Sequence, residues 1–168
     1  LTLTVNAVTA GSVTNTATVA ADTADPNQSG GFAASASVTT AILAPPTIAM
    51  AFAPPAVQPG NQSALSFTLT NPSPNAVTLN GVAFDNTLPT GLAVAGASAT
   101  VCGGTVSAAA DATAVSLSGG TIPASGSCQV SVRVRGTQIG QWTNVVGLAT
   151  AEAAASTPSS AILTVVQY

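Results

Sequence analysis

The chain has 168 residues and very little charge, 4% of residues against roughly 25% in an average soluble domain. It contains Arg133 and Arg135, no Lys, no His and five acidic residues, which gives a net charge of −3. Phosphate binding needs clustered Lys and Arg, so the composition disfavours nucleic-acid binding, and the lack of His excludes Ser-His-Asp and Cys-His catalysis. A surface with so little charge tends to associate, and we expect glycans or neighbouring subunits to cover it.

The acidic residues are the remaining material for acid-base chemistry, because a glycosidase-type pair would have to be built from carboxylates. They are scattered among predicted turns, at Asp22, Asp25, Asp85, Asp111 and Glu152. We therefore predict that the protein is not an enzyme and takes no cofactor.

The first feature along the chain is a repeat of residues that recur near its end. Leu1–Ala20 aligns with Val130–Ala149 without a gap, and Gly11 falls on Gly140. The alternation of apolar residues is shared by both segments, as expected for two copies of one building unit. The chain is therefore predicted to begin inside a domain.

A second match places Ser35–Thr39 on Ser160–Thr164 at a slightly shorter spacing, which is typical of tandem repeats whose loops vary in length. Residues 1–43 are accordingly predicted to be the C-terminal strands of a preceding, similar domain. An isolated hairpin is marginal in water. Either the rest of that domain or strand addition from another chain is expected to complete it.

A Pro-rich joint follows at residues 44–46, with Pro45 and Pro46. Proline holds the backbone extended and lacks an amide donor, so this segment predicts a short, stiff joint before a complete domain over residues 47–168. Further prolines interrupt Ala41–Val57, the longest apolar stretch, which argues against a membrane-spanning helix.

After the joint, apolar residues recur with period two and no segment has a capped helical stripe, so the chain is predicted to be all-β. Turn signals such as Asn80-Gly81 and Gly119-Gly120 separate the strands at intervals typical of an immunoglobulin-like sandwich. The predicted strands are Thr47–Phe52, Ser63–Asn71, Val77–Phe84, Leu92–Val94, Ala114–Leu117, Cys128–Arg135, Gln141–Ala149 and Ala161–Gln167.

Cys102 and Cys128 are the two cysteines, and both are flanked by glycine. We interpret them as a disulfide, which would place the protein in an oxidising, extracytoplasmic compartment. Two separate buried thiols are the alternative. A zinc site is improbable with two cysteines and no His.

Two polar segments could carry a ligand or a modification. Asp22 and Asp25 form the densest cluster of oxygen ligands, a weak candidate for a cation such as calcium, although an ordinary polar hairpin loop is the better interpretation. Asn27 and Asn61 each fit the N-glycosylation pattern.

The aromatic residues are few, and most fall on predicted core faces. Phe67 and Phe84 are predicted core residues, and Trp142 shares its parity with Val146 and Leu148. Core packing is the expected role of Trp142, whereas an exposed indole would indicate sugar stacking or a subunit contact.

Five segments taken together resemble the immunoglobulin-like repeat domains of large bacterial surface and secreted proteins. They are Pro45–Phe52 (PPTIAMAF), Leu65–Asn71 (LSFTLTN), Gly81–Pro89 (GVAFDNTLP), Cys102–Thr105 (CGGT) and Ser118–Cys128 (SGGTIPASGSC). The resemblance covers residues 45–168. It implies an extracellular sandwich repeated in tandem, a bridge between Cys102 and Cys128, and a stalk, adhesin or filament role without catalysis.

One residue departs from the pattern of the family. Members commonly have Lys in the first strand, where this chain has Met50. Some bacterial surface domains of this type are locked by a Lys–Asn isopeptide bond, which a chain without Lys cannot form. We expect packing, the disulfide and assembly to provide the cohesion instead.

These observations predict a structural extracellular protein, a repeat unit of a bacterial surface filament, sheath or stalk. Its expected partners are copies of itself or neighbouring repeats, possible strand donation through residues 1–43, and glycans, with no membrane span. The alternative is an adhesin-type module that binds a glycan or a host protein through its loops. That alternative predicts an exposed aromatic pair or a metal-binding loop.

Overall fold

A computed structural model describes residues 4–5, 9–20 and 33–167, without the side chains of Ala33, Ala97 and Ser98. The chain divides into two compact units, Leu1–Ile42 and Leu43–Tyr168, which are described separately below. Every regular secondary-structure element among the described residues is a β-strand, so the all-β prediction is confirmed. No helix in this described part is long and apolar enough to cross a membrane.

The first unit contains one hairpin, in which β1 (Gly11–Ala20) pairs with β2 (Ala33–Ile42) in antiparallel fashion. The pairing runs from Gly11 opposite Ile42 to Ala20 opposite Ala33 without a bulge. On one face, Thr14 and Thr39 share a hydroxyl–hydroxyl hydrogen bond of 2.8 Å.

The second unit begins with β3 and ends with β12. Its strands are β3 (Thr47–Ala53), β4 (Ala56–Val57), β5 (Gln62–Thr70), β6 (Leu79–Thr87), β7 (Leu92–Thr100), β8 (Thr105–Ser107), β9 (Ala114–Ile122), β10 (Ser127–Gly136), β11 (Gly140–Val146) and β12 (Ser159–Val165). The short strands β4 and β8 were not predicted, because two or three residues are too few to show an alternating pattern.

These strands form a two-layer sandwich. One layer is the antiparallel sheet β3-β5-β10-β7. The other combines the sheets β6-β9-β8 and β11-β12-β4, which are joined by paired backbone hydrogen bonds of 2.9 Å between Ala83 and Ala149. Both layers direct alternate side chains into a common core, as strands buried on one face do.

The core receives side chains from both layers, and the two central strands of the first layer give a continuous inward row. Leu65, Phe67 and Leu69 of β5 are fully buried, as predicted, and Val130, Val132 and Val134 of β10 are at most 1% exposed. Phe67 also meets Phe84 from the opposite layer, with ring centroids 4.6 Å apart. Burying each such side chain contributes about 1.5–3 kcal/mol, so this inward row holds the two layers together.

The prolines between β3 and β4 explain how the chain passes from one layer to the other. Pro54 and Pro55 have no amide donor and end the pairing of β3 with β5 at Ala53. The chain then continues as β4, which pairs with β12 in parallel. The carbonyl of Pro55 accepts a hydrogen bond from the Thr164 amide at 3.0 Å, so the crossing itself is anchored.

Two predicted turns were wrong, because they lie inside strands. Asn80-Gly81 falls within β6 and Gly119-Gly120 within β9. The pairing register between these two strands shifts between Leu79 and Val82 of β6. The φ angles of Gly81 and Gly119 are 59° and 67°. Some bulges and the tight hairpin turns place a residue at positive φ, so glycine at these positions is compatible with either structure in the sequence.

Other predicted strand ends were also displaced. The strand predicted over Gln141–Ala149 ends at Val146, and the one predicted over Leu92–Val94 continues to Thr100. In the second case Gly96, with a φ of 88°, forms part of a bulge opposite Arg133 that lets pairing with β10 resume. Alternation breaks at such a bulge, so the continuation could not be predicted from the period.

Candidate functional site

The charged side chains of the described residues do not gather into a catalytic centre. Arg135 forms an ion pair with Asp111, with Nη2 and Oδ1 2.5 Å apart. The Glu152 carboxylate accepts hydrogen bonds from the Asn80 amide and side chain at 2.9 and 3.2 Å. Both contacts lie in exposed positions, where an ion pair contributes about 1 kcal/mol or less.

Among the described residues no three His, Cys, Asp or Glu side chains are grouped as metal ligands. The weak cation candidate, Asp22 and Asp25, and the sequon at Asn27 lie outside the described residues. Their roles therefore stay predictions from the sequence.

The second sequon lies in a turn before β5. Asn61 is exposed, but Ser63 is fully buried and its hydroxyl donates a 2.6 Å hydrogen bond to the carbonyl of Pro54. A glycosylating enzyme has to engage the whole Asn-Gln-Ser segment, and in the folded chain the Ser hydroxyl is already bonded. Glycosylation at Asn61 would therefore have to precede folding.

The cysteines form a disulfide between the segment after β7 and the start of β10. Cys102 and Cys128 have Cα atoms 5.0 Å apart and are 1% and 6% exposed. The carbonyl of Cys102 accepts a hydrogen bond of 2.7 Å from the Thr121 amide, which ties the same segment to β9. Bridge and hydrogen bond together attach the loop around Cys102 to both layers.

The glycines beside the disulfide allow two backbones to touch. A Cβ on Gly104 would lie 2.4 Å from the carbonyl oxygen of Ser118, and Gly104 has a φ of 70°. By contrast, a Cβ on Gly119 would meet no atom within 4 Å. The Cys-Gly-Gly segment thus packs against the bulge of β9 at a distance that no side chain would permit.

A buried cluster of amides joins the two sheets of the second layer through Asn86 of β6 and Asn144 of β11. Each side chain donates a 2.9 Å hydrogen bond to the Oδ1 atom of the other, and Asn86 Nδ2 also donates to the carbonyl of Val145 at 2.9 Å. The second donor of Asn144 points to the Met50 sulfur, 3.4 Å away. Met50 therefore lies directly against Asn144.

A second amide cluster holds the chain where it enters the sandwich. The Asn75 side chain accepts a hydrogen bond from the Ala44 amide and donates one to the Ala44 carbonyl, both 2.8 Å. Asn75 also donates to Asn71 Oδ1 at 2.8 Å, and both residues are at most 1% exposed. These hydrogen bonds form a clamp that fixes the joint at residues 44–46 to the loop that contains Asn75.

Trp142 is only partly buried. Its side chain packs against the hydrophobic core from outside, whereas the sequence predicted a place within the core. A Cβ on Gly91 would lie 1.9 Å from the indole, so the ring lies directly on the backbone there. The indole nitrogen donates a 2.9 Å hydrogen bond to the carbonyl of Gln138. Phe67 and Phe84 are buried in the core, and Phe52 is also buried, so these aromatic side chains do not form an exposed binding pair.

The outer face of the β3-β5-β10-β7 sheet is made of small side chains. Ala51 stands opposite Ser66, which stands opposite Ser131, and the next row pairs Ala49 with Thr68 and Gln129. Arg133 and Arg135 are the charges on this outer face. The part of this face that is made of Ala, Ser and Thr, away from Arg133 and Arg135, can approach another flat surface closely without having to desolvate a charge.

Sequence analysis did not single out the asparagines that organise the interior. Asn86 shares its parity with Phe84, and Asn144 shares its parity with Val146, so both could have been placed on inward faces. Nothing in the sequence shows that the two side chains pair, because their strands are far apart along the chain.

Three comparisons relate this chain to known proteins. Residues 46–165 match the sequence model of a family described as "Domain of unknown function (DUF7933)". No curated protein sequence matches the chain.

Solved structures that share its fold include a pilin and a cohesin. A D312A variant of BcpA, the major pilin subunit of Bacillus cereus, superposes with a TM-score of 0.57 and 11% identity over 77% of this chain. This chain spans only 45% of the length of that pilin. A non-cellulosomal cohesin from the archaeon Archaeoglobus fulgidus gives a TM-score of 0.51 and 13% identity, with 74% and 93% of the two chains covered. The predicted immunoglobulin-like β-sandwich is confirmed.

Proposed function

We propose that this chain, which belongs to the DUF7933 family, is a structural unit of an extracellular surface filament, sheath or stalk. Its partners on this proposal are other repeats of the same kind, in the same chain or in neighbouring chains. The argument depends on the surface and on the internal bonds rather than on a catalytic site.

The observation that carries the proposal is the scarcity of charge on a surface built from small side chains. The described residues include Asp85, Asp111, Arg133, Arg135 and Glu152 as their charged side chains, and Arg135 and Asp111 neutralise each other. A protein that acts as a free monomer usually needs a net charge and mixed surface charges to stay dispersed. A surface of Ala, Ser and Thr is better suited to repeated contact with neighbouring subunits.

The internal bonds support an extracellular location. The disulfide between Cys102 and Cys128 persists in oxidising compartments and is rare in the cytosol. It also constrains the unfolded chain, which contributes about 3 kcal/mol for a loop of this length. Both properties suit a domain that has to stay folded outside the cell under load.

The fold is compatible with this role. BcpA is described as the major pilin subunit of Bacillus cereus, and a sandwich of similar topology occurs there. At 11% identity the likeness concerns the fold, so it supports the proposal only by showing that such a sandwich can be used in a filament.

Electron microscopy with antibodies against residues 43–168 tests the proposal on native cells. Regularly spaced label on an extracellular filament, sheath or stalk is the expected result. Label confined to the cytoplasm would overturn it. Label restricted to the tips of surface fibres would favour the adhesin-type alternative, and a glycan or host-protein binding assay would then be the next measurement.

A further inference from the structure

The β1–β2 hairpin of the first unit has two faces of different chemistry. One face, called here the hairpin apolar face, carries Val13, Asn15, Ala17, Val19, Ala34, Ala36, Val38 and Thr40. The opposite face carries Ser and Thr at most positions, including the bonded pair Thr14 and Thr39. The apolar side chains are open to solvent, with Val13, Val19 and Val38 exposed by 51%, 66% and 63%.

The internal repeat relates this hairpin to β11 and β12 of the second unit. The alignment that places Gly11 on Gly140 also places Val13 on Trp142 and Asn15 on Asn144. Both pairs of strands are antiparallel, although Asn15 stands opposite Val38 whereas Asn144 stands opposite Ala161. By the alignment Ala161 corresponds to Ala36, so the register differs by an even number of residues and the same faces remain equivalent.

In the second unit the equivalent face is covered. Val146, Leu148 and Leu163 on that face are at most 3% exposed. Asn144 is fully buried and bonds to Asn86 of β6 and Met50 of β3. The counterpart Asn15 also lies between apolar neighbours on its own hairpin, Val13 and Ala17, but is exposed. If this face were covered, the Asn15 amide would need a polar partner, because buried polar groups are hydrogen-bonded.

We propose that the hairpin apolar face is the docking surface for the remaining strands of another domain of this same family, one that contributes the equivalents of β3 to β9. This partner places an amide, equivalent to Asn86, opposite Asn15. The inference rests on the proposed function, in which such domains follow one another as structural repeats. An intact copy of the second unit does not fit, because its own β11 and β12 already occupy the corresponding surface.

The side chains of the hairpin also constrain the partner. Val13, Ala17 and Val19 are smaller than Trp142, Val146 and Leu148, which they match in the alignment. Cores pack to a uniform density, so the facing side chains of the partner have to be larger than those that face β11 in this domain. The partner is therefore a related but distinct repeat rather than an identical one.

A tandem variant of the full chain tests the proposal. A second copy of residues 45–129 is fused directly before Leu1, because Leu1 aligns with Val130 and the fused chain then continues the repeat without a gap. A second variant adds V13W, A17V and V19L, so that the hairpin carries side chains matched to the fused strands. The measurement is hydrogen exchange of the β1 and β2 amides, with the downstream sandwich as an internal folding control.

The expected result is weak protection of the hairpin in the original chain and about 100-fold stronger protection in the matched tandem variant. Adding Val38→Asp to the apolar face should abolish the gain, whereas Ser37→Asp on the opposite face should preserve it. An unprotected hairpin in both tandem variants, with the downstream sandwich folded, would overturn the proposal. So would protection in the original chain together with a dimer by sedimentation, because a second copy would then cover the face. Neither result depends on where the protein lies on the cell, so the proposed function is judged separately.

Discussion

The individual residues that matter most here are glycines and asparagines rather than charged side chains. Gly104 permits a backbone contact beside the disulfide, and Asn86 pairs with Asn144 inside the core. Both arrangements leave no buried side-chain polar atom without a partner among the described residues. Replacing either type of residue should therefore lower the free energy of unfolding by more than the change in side-chain size suggests.

We expect Gly104→Ala to destabilise the sandwich by about 2 kcal/mol more than Gly119→Ala. Both positions have positive φ, but only at Gly104 would the added Cβ collide with backbone, the Ser118 carbonyl. Chemical unfolding of the two variants under oxidising conditions measures the difference. Equal losses of the free energy of unfolding would show that the close contact beside the disulfide has no energetic weight.

We also expect that Met50→Lys combined with Asn86→Asp would form an isopeptide bond to Asn144. The Met50 sulfur lies 3.4 Å from Asn144 Nδ2, and a Lys amine, two bonds further along its side chain than that sulfur, is expected to reach the side-chain carbonyl carbon of Asn144. Burial keeps an amine neutral and nucleophilic, and a carboxyl beside Asn144 can pass a proton to the leaving ammonia.

Intact-protein mass spectrometry would show the loss of one ammonia from this double variant. The matched control, Met50→Lys alone, keeps the amide at Asn86 and should retain its full mass. Retention of the full mass in the folded double variant would contradict the geometry inferred from the Met50–Asn144 contact.

At the scale of strands and loops, two connecting segments are each fixed to the sandwich by identifiable bonds. The joint at residues 44–46 is attached by Asn75, and the segment at Cys102 is attached by the disulfide and by the Thr121 amide. Both attachments lie where the chain enters the sandwich or leaves a strand of the sandwich.

For the clamp at the joint, Asn75→Ala is expected to release the Ala44 backbone and destabilise the domain by about 1–3 kcal/mol, since two backbone groups and Asn71 lose their partner. Hydrogen exchange of the Ala44 amide should rise towards the rate of an unprotected peptide. Ser73→Ala in the same loop is the control, because its exposed side chain should be dispensable. Unchanged exchange at Ala44 in the Asn75 variant would refute the clamp.

The disulfide should contribute about 3 kcal/mol, from a sequence separation of 26 residues. Reduction of the native chain is expected to lower the free energy of unfolding by that amount. A Cys102→Ala, Cys128→Ala variant should be unaffected by the same reductant. A native chain equally stable with and without reductant would show that its core suffices without the bridge.

The molecular surface as a whole is the main evidence for assembly. Small side chains form most of the outer face of the β3-β5-β10-β7 sheet, and the described charges are few and partly paired. On the proposed function, we therefore expect the assembly contacts on this face of the sandwich.

We expect Ala49→Glu with Ala51→Glu on the outer face to raise solubility and the monomeric fraction, with the free energy of unfolding changed by about 0.5 kcal/mol or less. Sedimentation and thermal unfolding measure the two effects. Ala76→Glu with Ala110→Glu adds the same charge on exposed loops and serves as control. Equal effects of both pairs on association would show that net charge, and not the outer face, governs assembly.

The sequence was sufficient for the features that depend on a local period or on composition. Alternation alone places Leu65, Phe67 and Leu69, and Val130, Val132 and Val134, on buried faces, because strand side chains alternate between two sides. The scarcity of charge, the absence of His and the two cysteines follow directly from composition and restrict the class of function.

The remaining features depend on contacts between distant segments, which no local pattern contains. Whether Gly119-Gly120 forms a turn or a bulge depends on the strand opposite, and the pairing of Asn86 with Asn144 depends on how the two sheets of one layer meet. Likewise, the repeat could be recognised in the sequence, but the exposure of Val13 and Val38 emerged only from the folded hairpin. Burial and hydrogen-bond partners are properties of the assembled sandwich, so only the three-dimensional structure could assign them.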